Sequence, residues 1–276
     1  MSVWLVLPSA LPPEQADECF KLWAQQGYKL CIQRDPGHIY DSKYAHIMME
    51  RPYKGYPEAV NYLAKGVLAD DLECNWIVAA GDDTHPDLSH TAEEIGDDCS
   101  VYFNLIDRVK YAREQCGEKK DWAEPDIESV MAALSSLSVR KGLLKRPNTF
   151  GVMQPTGDRW GDDAYARAKW PDAPAMIDRI CGSPWMGREF CLRINQGQGP
   201  LWMEYHHNWA DEELQNVAIK YGCFWQRRDL THYHNHARRK GGQWKEHQRG
   251  FDSDYTRMKP LFDARKKMNF PGSEPL

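Results

Sequence analysis

The first ninety residues alternate between short apolar runs and amphipathic segments, and this alternation most constrains the fold. The runs VWLVL (3–7), KLCIQ (29–33) and WIVAA (76–80) have the length and composition of buried strands. Between them lie two segments with apolar residues at helical spacing, each opened by proline. Strand, helix, strand, helix, strand predicts an α/β fold with a mostly parallel central sheet flanked by helices.

The rest of the chain has a different character. Residues 91–146 are charge-rich and helical in composition, and we interpret them as two or three helices inserted into the sheet. Residues 147–236 return to strand character at TFGVMQ (149–154) and include DEELQNVAIKYG, a helix with an acidic first turn and Gly222 as its stop. Residues 237–276 form a basic C-terminal tail.

Composition narrows the classes of protein. The chain has 276 residues and a formal net charge of −5, which is ordinary for a soluble protein. It has no apolar run long enough to span a membrane, and its N-terminal prolines favour strand and loop over a signal peptide. The eight cysteines include no C-x-x-C spacing, which disfavours a structural zinc site and a disulfide framework. We therefore expect a cytoplasmic protein without a membrane partner.

Two adjacent aspartates, Asp82 and Asp83, follow the third apolar run in WIVAAGDDT. Ligands of parallel sheets bind beyond the carboxyl ends of the strands, so the loops at 8–10, 34–37 and 81–87 are expected to meet at one edge. Two neighbouring carboxylates repel each other unless a cation compensates, and Mg²⁺ or Mn²⁺ does so while also taking phosphate oxygens. The alternative is that Gly-Asp-Asp is simply a turn. We favour a metal or phosphate role.

A strand that ends in a small-residue loop, an acidic residue after the second strand and Asp-Asp after the third resemble the GT-A fold of nucleotide-sugar glycosyltransferases, close to the family-2 type. The resemblance covers residues 1–90 well and parts of 149–236 more loosely. In that family a D-x-D-like motif holds a divalent metal on the donor's diphosphate, and its first carboxylate often reaches the ribose. The resemblance thus implies Mn²⁺ or Mg²⁺ and a nucleotide sugar, foremost a UDP-sugar. GDDT departs from the strict motif, and we prefer Asp83 as metal ligand and Asp82 as donor contact.

The resemblance also implies donor-binding positions. Pro8, Ser9 and Ala10 lie where the first loop touches the nucleoside. Asp35 lies where an acidic residue contacts the base or ribose, and Asn61 matches a helix position that lines the donor pocket. The alternatives are a turn at Asp35 and a solvated helix position at Asn61.

A further segment, RICGSPWMGREF (179–190), is glycine-bounded, aromatic and basic. It suits a wall around the transferred sugar and the acceptor, with Trp185 stacking on a sugar. A buried core tryptophan is the alternative for this residue.

Glycosyl transfer needs a base that deprotonates the acceptor hydroxyl. Inverting members of the family place this carboxylate near the start of a helix, after an aromatic loop that contains glycine. The stretch GPLWMEYHHNWADEELQ matches this arrangement, with Asp211 as the favoured base and Glu212 next. The resemblance therefore implies an inverting enzyme. The alternative is that Asp211 is an N-cap and Glu212 offsets the helix dipole.

Three histidines alternate at 232, 234 and 236 in LTHYHNHARR, and on a strand they would share one face. GT-A enzymes often supply a further metal ligand from a late histidine, and His234 or His232 matches that place. The three imidazoles alone also suit zinc, and they equally suit a solvent-facing strand. We favour one histidine that completes the Asp83 site.

Residues 225–268 carry twelve Lys or Arg against five Asp or Glu, with aromatic residues between them. This composition is typical of a surface that tracks a phosphate backbone and stacks bases, although a solvated basic face is the usual alternative. The compact, tryptophan-rich chain resembles bacteriophage glycosyltransferases that modify DNA at hydroxymethylated pyrimidines. That likeness implies DNA with 5-hydroxymethylpyrimidine as the acceptor and the host cytoplasm as the location.

On this interpretation a single GT-A domain has four parts: a nucleotide-sugar-binding half (1–90), a helical insertion (91–146), an acceptor-side half that completes the sheet and metal site (147–236) and the basic tail (237–276). A nucleotidyltransferase is the rival enzyme, although PSALPPEQ lacks the expected glycine- and lysine-rich loop. A non-catalytic DNA-binding accessory protein is the rival outside enzymes. A metal-dependent oxygenase fits the H-x-H-x-H pattern but not the alternation of strands and helices.

Overall fold

A computed structural model describes residues 2–115, 137–145, 147–158, 178–235 and 251–276 of the chain. The N-terminal half of its main sheet consists of the four strands β1 (Ser2–Pro8), β2 (Lys29–Arg34), β3 (Ile47–Glu50) and β4 (Cys74–Ala79). They are parallel and lie in the spatial order β3-β2-β1-β4. The crossover helices are α1 (Pro13–Gln25) and α2 (Tyr56–Asp70). The predicted strands and helices of this half are therefore confirmed, and β3 is an additional edge strand that lacks a clear apolar pattern.

The C-terminal half extends the same sheet to seven strands in the order β3-β2-β1-β4-β7-β6-β8. The added strands are β6 (Val152–Pro155), β7 (Trp185–Gly187) and β8 (Phe224–Arg227). β7 runs antiparallel to both of its neighbours, whereas β6 and β8 pair in parallel. The protein is thus an α/β protein with a mostly parallel mixed sheet, as the sequence predicts.

A separate antiparallel ladder joins β5 (Thr84–His85) to β9 (Tyr233–His234), with Thr84 opposite His234. It places the loop that follows β4 against a segment from much later in the chain. This ladder is the main reason why residues of both halves share one site.

The remaining helices are α3 (Ala92–Gln115), α4 (Leu137–Leu144), α5 (Arg188–Gly197), α6 (Ala210–Lys220) and α7 (Phe251–Lys267). Helices α3 and α4 confirm two of the predicted inserted helices, while residues 116–136 lie outside the described ranges. Helix α6 is also confirmed, whereas α7 has no counterpart in the sequence analysis. Within the described ranges, no helix combines the length and apolar character needed to cross a membrane.

The two faces of the sheet are covered by separate cores. Trp4 and Val6 of β1 point into the core that contains apolar residues of α2, α5 and α6, and Val3, Leu5 and Leu7 point into the core beneath α1 and α3. Because side chains alternate across a strand, a strand buried on both faces is continuously apolar, which explains the run VWLVL. The polar carboxyl ends of these strands are left to form the site.

Helix α7 is joined to α6 by a buried ion pair. The Arg265 guanidinium donates to both carboxylate oxygens of Glu213 at 2.6–3.1 Å, and the Tyr205 hydroxyl donates to the same carboxylate at 2.7 Å. The guanidinium also stacks on Trp202, 3.4 Å from the ring centroid. Over its described part, the basic C-terminal segment is therefore a helix packed into the body of the protein.

Candidate active site

Asp82 lies between the loops that follow β1 and β4. Its Oδ2 accepts hydrogen bonds from the Ser9 hydroxyl at 3.0 Å and from the Ala10 backbone N–H at 3.3 Å. Pro8, the last residue of β1, leads directly into this loop, and the Ser9 N–H continues the sheet by donating to the Gln33 carbonyl at 3.0 Å. Three of the predicted donor-loop residues therefore lie beside the first aspartate.

Asp83 faces His234 across the β5–β9 ladder. Asp83 Oδ1 lies 3.3 Å from His234 Nε2, and the two side chains are 11% and 29% exposed. The Asn235 N–H donates to the Asp83 carbonyl at 2.8 Å, which ties the two segments together. A Cβ atom on Gly81 would lie only 2.8 Å from Asp83 Oδ1, so the glycine leaves the space that this carboxylate occupies.

The Asp83–His234 pair suits a divalent metal only if the substrate supplies further ligands. In the described part of the chain, no group of three or more His, Cys, Asp or Glu is placed to hold a metal ion. Mg²⁺ commonly binds through one or two protein carboxylates, substrate phosphates and waters, in octahedral geometry. Neighbouring ligands in such a shell are roughly 3 Å apart. The 3.3 Å between the two side chains matches this spacing.

His232 lies in the core, unlike His234. It is 3% exposed, its Nδ1 is 2.9 Å from the Ser183 hydroxyl, and its ring packs edge-on against Trp23. Burial lowers its pKa to about 3. The predicted alternation requires a strand, but β9 includes only Tyr233 and His234, so it does not bring His232 to the face of His234. The third histidine of the pattern, His236, lies outside the described residues.

Two other predicted site residues have packing roles. Trp185 is fully buried in β7 and packs against Tyr28, with 5.5 Å between the ring centroids. Asn61 is 4% exposed and exchanges two hydrogen bonds with the Leu201 backbone, at 2.6 and 3.0 Å. Asn61 thereby holds the loop before α6, and neither side chain is exposed for direct contact with a ligand.

Asp35 lies at the same edge of the sheet as Asp82. Its Oδ1 accepts a hydrogen bond from the Tyr53 N–H at 2.7 Å, which fixes the loop between β3 and α2. The Tyr53 ring lies 6.0 Å from that of His206 in the loop before α6. Asp35 therefore holds a loop that contacts the loop before α6.

Asp211 occupies the first turn of α6. The preceding Trp209 has a left-handed backbone with φ of 79°, which turns the chain sharply into the helix. Asp211 Oδ1 accepts a hydrogen bond from the Glu212 N–H at 2.9 Å. Burial nevertheless raises the pKa of Asp211 to about 6, and the charge of His234 acts on it in the opposite direction.

Tyr56 lies within electrostatic range of both Asp211 and Asp83, and it was not predicted from the sequence. Burial raises the pKa of its phenol, and the charges of Asp211 and Asp83 add to this rise. The Tyr56 N–H donates to the His206 carbonyl at 2.7 Å, an approach that the preceding Gly55 permits with φ of 130°. The only signal in the sequence is an aromatic residue at the start of a helix, which is common.

Glu212 faces α7. Its carboxylate lies 3.7 Å from the Lys266 ammonium group. Burial raises its pKa, and the charges of Lys266 and Arg179 oppose this rise. The other predicted base, Asp211, has a pKa that the charge of His234 lowers.

Asp254 of α7 organises the loop that carries His207 and was also missed. Its Oδ2 accepts hydrogen bonds from the backbone N–H groups of His207 and Asn208, at 3.2 and 3.1 Å. Burial lowers the pKa of His207 to about 4, while the charges of Asp254 and Asp83 act to raise it. A contact between segments so distant in sequence leaves no local pattern that could predict it.

The geometry thus gathers two aspartates, a histidine and a third carboxylate of raised pKa at the carboxyl edge of the sheet. A comparison with models of known protein families found none that matches the chain, and a search among curated proteins found no similar sequence.

Proposed function

We propose that the chain is a metal-dependent, inverting glycosyltransferase of the GT-A fold, which moves a sugar from a nucleotide sugar to an acceptor hydroxyl. The observation that carries this proposal is the contact between Asp83 and His234. Asp82 is the adjacent residue, bonded to the loop after β1, and Asp211 lies within electrostatic range of His234. A mostly parallel sheet with acidic residues beyond its carboxyl ends supports it, because such edges bind nucleotides.

On the donor side, Asp83 and His234 would hold Mn²⁺ or Mg²⁺. The bound metal supplies positive charge that stabilises the departing diphosphate. Asp82, oriented by Ser9 and Ala10, would accept a hydrogen bond from the ribose, and Asp35, in the loop after β2, would contact the nucleoside. A UDP-sugar is the donor class that we propose.

On the acceptor side, Asp211 would take the proton of the attacking hydroxyl. A pKa of about 6 leaves it ionised at neutral pH but more basic than an ordinary aspartate, which suits a general base. A single carboxylate that removes this proton, while the diphosphate leaves from the opposite side of the anomeric carbon, gives inversion.

For the acceptor we propose DNA with 5-hydroxymethylpyrimidine. The basic and aromatic segment 225–268 supports this proposal. Its described part includes Tyr255, which is 49% exposed and stacks on Trp209 directly before α6, with 4.4 Å between the ring centroids. An exposed ring beside lysines offers a base a stacking surface, and the substituent at C5 of a pyrimidine already projects into the major groove.

The donor chemistry is tested by hydrolysis of UDP-sugars with Mn²⁺. Asp83→Asn should reduce turnover by about a hundredfold or more, because removal of a charge that acts on the transition state costs this much. Asp70→Asn, an exposed aspartate at the end of α2, is the matched control. Unchanged turnover in Asp83→Asn would contradict the metal role. Transfer of a nucleotide instead of a sugar to the acceptor, detected by mass, would favour a nucleotidyltransferase.

The acceptor is tested separately by DNA binding. The affinity for duplex DNA should fall steeply as the salt concentration rises. Lysine and arginine side chains that bind phosphates displace the counterions condensed on the DNA, and added salt opposes this release. Hydroxymethylated DNA should gain the mass of a sugar when incubated with the protein and donor. A protein that hydrolyses UDP-sugars but binds no DNA at low salt would contradict the DNA acceptor and leave the donor chemistry standing.

A further inference from the structure

Arg34, the last residue of β2, is a buried cation at the carboxyl edge of the sheet. Its side chain is 3% exposed, and its guanidinium donates to the backbone carbonyls of Leu11 and His38, each at 2.8 Å. Among the described residues, no carboxylate forms an ion pair with it. A buried charge is costly unless nearby groups compensate it, and here the two carbonyls, a third acceptor and the Tyr40 ring, whose centroid lies 5.1 Å from the guanidinium carbon, do so.

Ser9 connects this cation to the first aspartate of the site. Arg34 Nη1 donates to Ser9 Oγ at 3.5 Å, and Ser9 Oγ donates to Asp82 Oδ2 at 3.0 Å. A serine hydroxyl has a single hydrogen, and a guanidinium can only donate. The hydroxyl therefore accepts from Arg34 and directs its own hydrogen to Asp82.

We propose that Arg34 is a positioning residue of the donor site, which acts through Ser9 to orient Asp82 toward a bound nucleoside diphosphate. The identity of this ligand rests on the proposed function. The buried positive charge of Arg34 also offsets the negative charge that a diphosphate adds beside Asp82 and Asp83. Arg34 thus strengthens donor binding through its effect on neighbouring groups.

Lysine cannot replace Arg34 in this arrangement. The planar guanidinium reaches Leu11, His38 and Ser9 at the same time with a fixed fork of donors. A lysine ammonium keeps the charge but has a different shape and reach, so it cannot keep all three hydrogen bonds. Arg34→Lys is therefore a mild change that should break the connection to Ser9.

The test is a double-mutant cycle on UDP binding with Mn²⁺, measured by calorimetry for wild type, Arg34→Lys, Ser9→Ala and the double variant. Each single variant should bind UDP about tenfold more weakly, the loss expected for one hydrogen bond to a charged group. The double variant should bind no more weakly than the weaker single variant. With a UDP-sugar, KM should rise and kcat should change little. Multiplicative losses of about a hundredfold, or unchanged affinity in Arg34→Lys, would overturn the proposal.

Arg188 offers a matched control. Its guanidinium likewise has three hydrogen-bond acceptors, here the backbone carbonyls of Leu68, Asp71 and Cys74 at 2.7–3.2 Å, but it lies at the opposite edge of the sheet. Arg188→Lys should lower stability without weakening UDP binding. An equal loss of UDP affinity in Arg188→Lys would show that the Arg34 effect is a general loss of structure and would overturn the proposal.

A measurement without nucleotide separates this proposal from the proposed function. The Ala10 N–H donates to the same carboxylate oxygen as Ser9, so its amide resonance in alanine-labelled protein reports the position of Asp82. Arg34→Lys should move this resonance when Ser9 is present and should not move it further when Ser9→Ala is the reference, because the adjacent substitution itself shifts the Ala10 signal. A wild-type protein that binds no UDP would contradict the proposed function, and the Ala10 resonance would still decide whether Arg34 positions Asp82. An Ala10 resonance that is unaffected by Arg34→Lys would show that Arg34 does not position Asp82.

Discussion

Gly81 shows how one missing side chain shapes the proposed metal site. A methyl group there would lie 2.8 Å from Asp83 Oδ1 and would displace the carboxylate, because the carboxylate is easier to move than the backbone. We expect Gly81→Ala to weaken Mn²⁺ binding in the presence of UDP by about tenfold or more, the loss expected for one displaced charged ligand. Stability should change little.

The control for this change is Gly182→Ala, where the added carbon would meet only Ile180 Cδ1 at 3.9 Å. Calorimetric titration with Mn²⁺ and urea unfolding of both variants separate metal affinity from stability. Equal Mn²⁺ affinity in Gly81→Ala and wild type would argue against Asp83 as a ligand.

The raised pKa of Asp211 predicts the pH dependence of the reaction. The proposed base acts in its ionised form, so kcat/KM for the proposed sugar transfer should increase about tenfold per pH unit below pH 6 and level off above it. Asp211→Asn should reduce transfer by about 10²–10⁴-fold, the usual contribution of a general base.

Glu212→Gln is the informative comparison, because this neighbour faces Lys266. It should keep both the rate and the pH profile. Loss of transfer in Glu212→Gln, together with full activity in Asp211→Asn, would assign the base to Glu212.

The individual residues of the site differed in how well sequence could predict them. The shared location of Asp82, Asp83 and Ser9 could be predicted because they follow strands, and strand ends in a parallel sheet share an edge. Trp185 and His232 were misleading because an aromatic residue or a histidine looks the same in a sequence whether it is buried or exposed. Tyr56 and Asp254 act through contacts between distant segments, which no local pattern records.

At the scale of secondary-structure elements, a buried ion pair between Arg265 and Glu213 connects α7 to α6. Arg265→Met leaves the Glu213 carboxylate buried without its cation, and such a loss costs about 3–5 kcal/mol of unfolding free energy. The double variant Arg265→Met/Glu213→Leu should recover much of this loss, because apolar side chains replace both charges.

Urea unfolding of the two single variants and the double variant measures this coupling. Lys259→Met, which removes an exposed ion pair with Asp263, provides a control with an expected cost of about 0.2–1 kcal/mol. Similar costs for Arg265→Met and Lys259→Met would contradict a buried, coupled pair.

The predictability of the elements follows from how they are buried. The apolar runs within β1, β2 and β4 are covered on both faces, so composition identifies these strands even though β2 ends in the polar residues Gln33 and Arg34. Strand β7 has three residues, and its antiparallel direction depends on its neighbours. Helix α7 contains Pro260 and many charged residues, a composition that is typical of a solvated tail. Its packing depends on the buried ion pair with α6, which the sequence does not reveal.

At the scale of the whole molecule, two buried groups give opposite dependences of stability on pH. The pKa of His232 falls from 6.5 to about 3 on folding, so below pH 6.5 the unfolded chain binds the extra proton and stability decreases. The pKa of Asp211 rises from 3.8 to about 6, so below pH 6 the folded protein binds the extra proton and stability increases. The two effects partly cancel between about pH 4 and 6.

Single variants separate these effects. The difference in unfolding free energy between wild type and His232→Phe should shrink by up to about 1.4 kcal/mol per pH unit below pH 6.5. The corresponding difference for Asp211→Asn should change with the opposite sign below pH 6. Urea unfolding from pH 4 to 7 measures both, and a difference for His232→Phe that does not change with pH would show that this histidine titrates normally.

The short ladder between β5 and β9 determines when, during synthesis, the residues on either side of it can come together. At usual rates of translation, Asp83 is synthesised roughly ten seconds or more before His234. Until then the nascent chain contains Asp83 but not His234, which contacts it in the folded protein. A partial product released early by the ribosome would therefore carry Asp82 and Asp83 without His234, the residue that β9 places opposite Thr84.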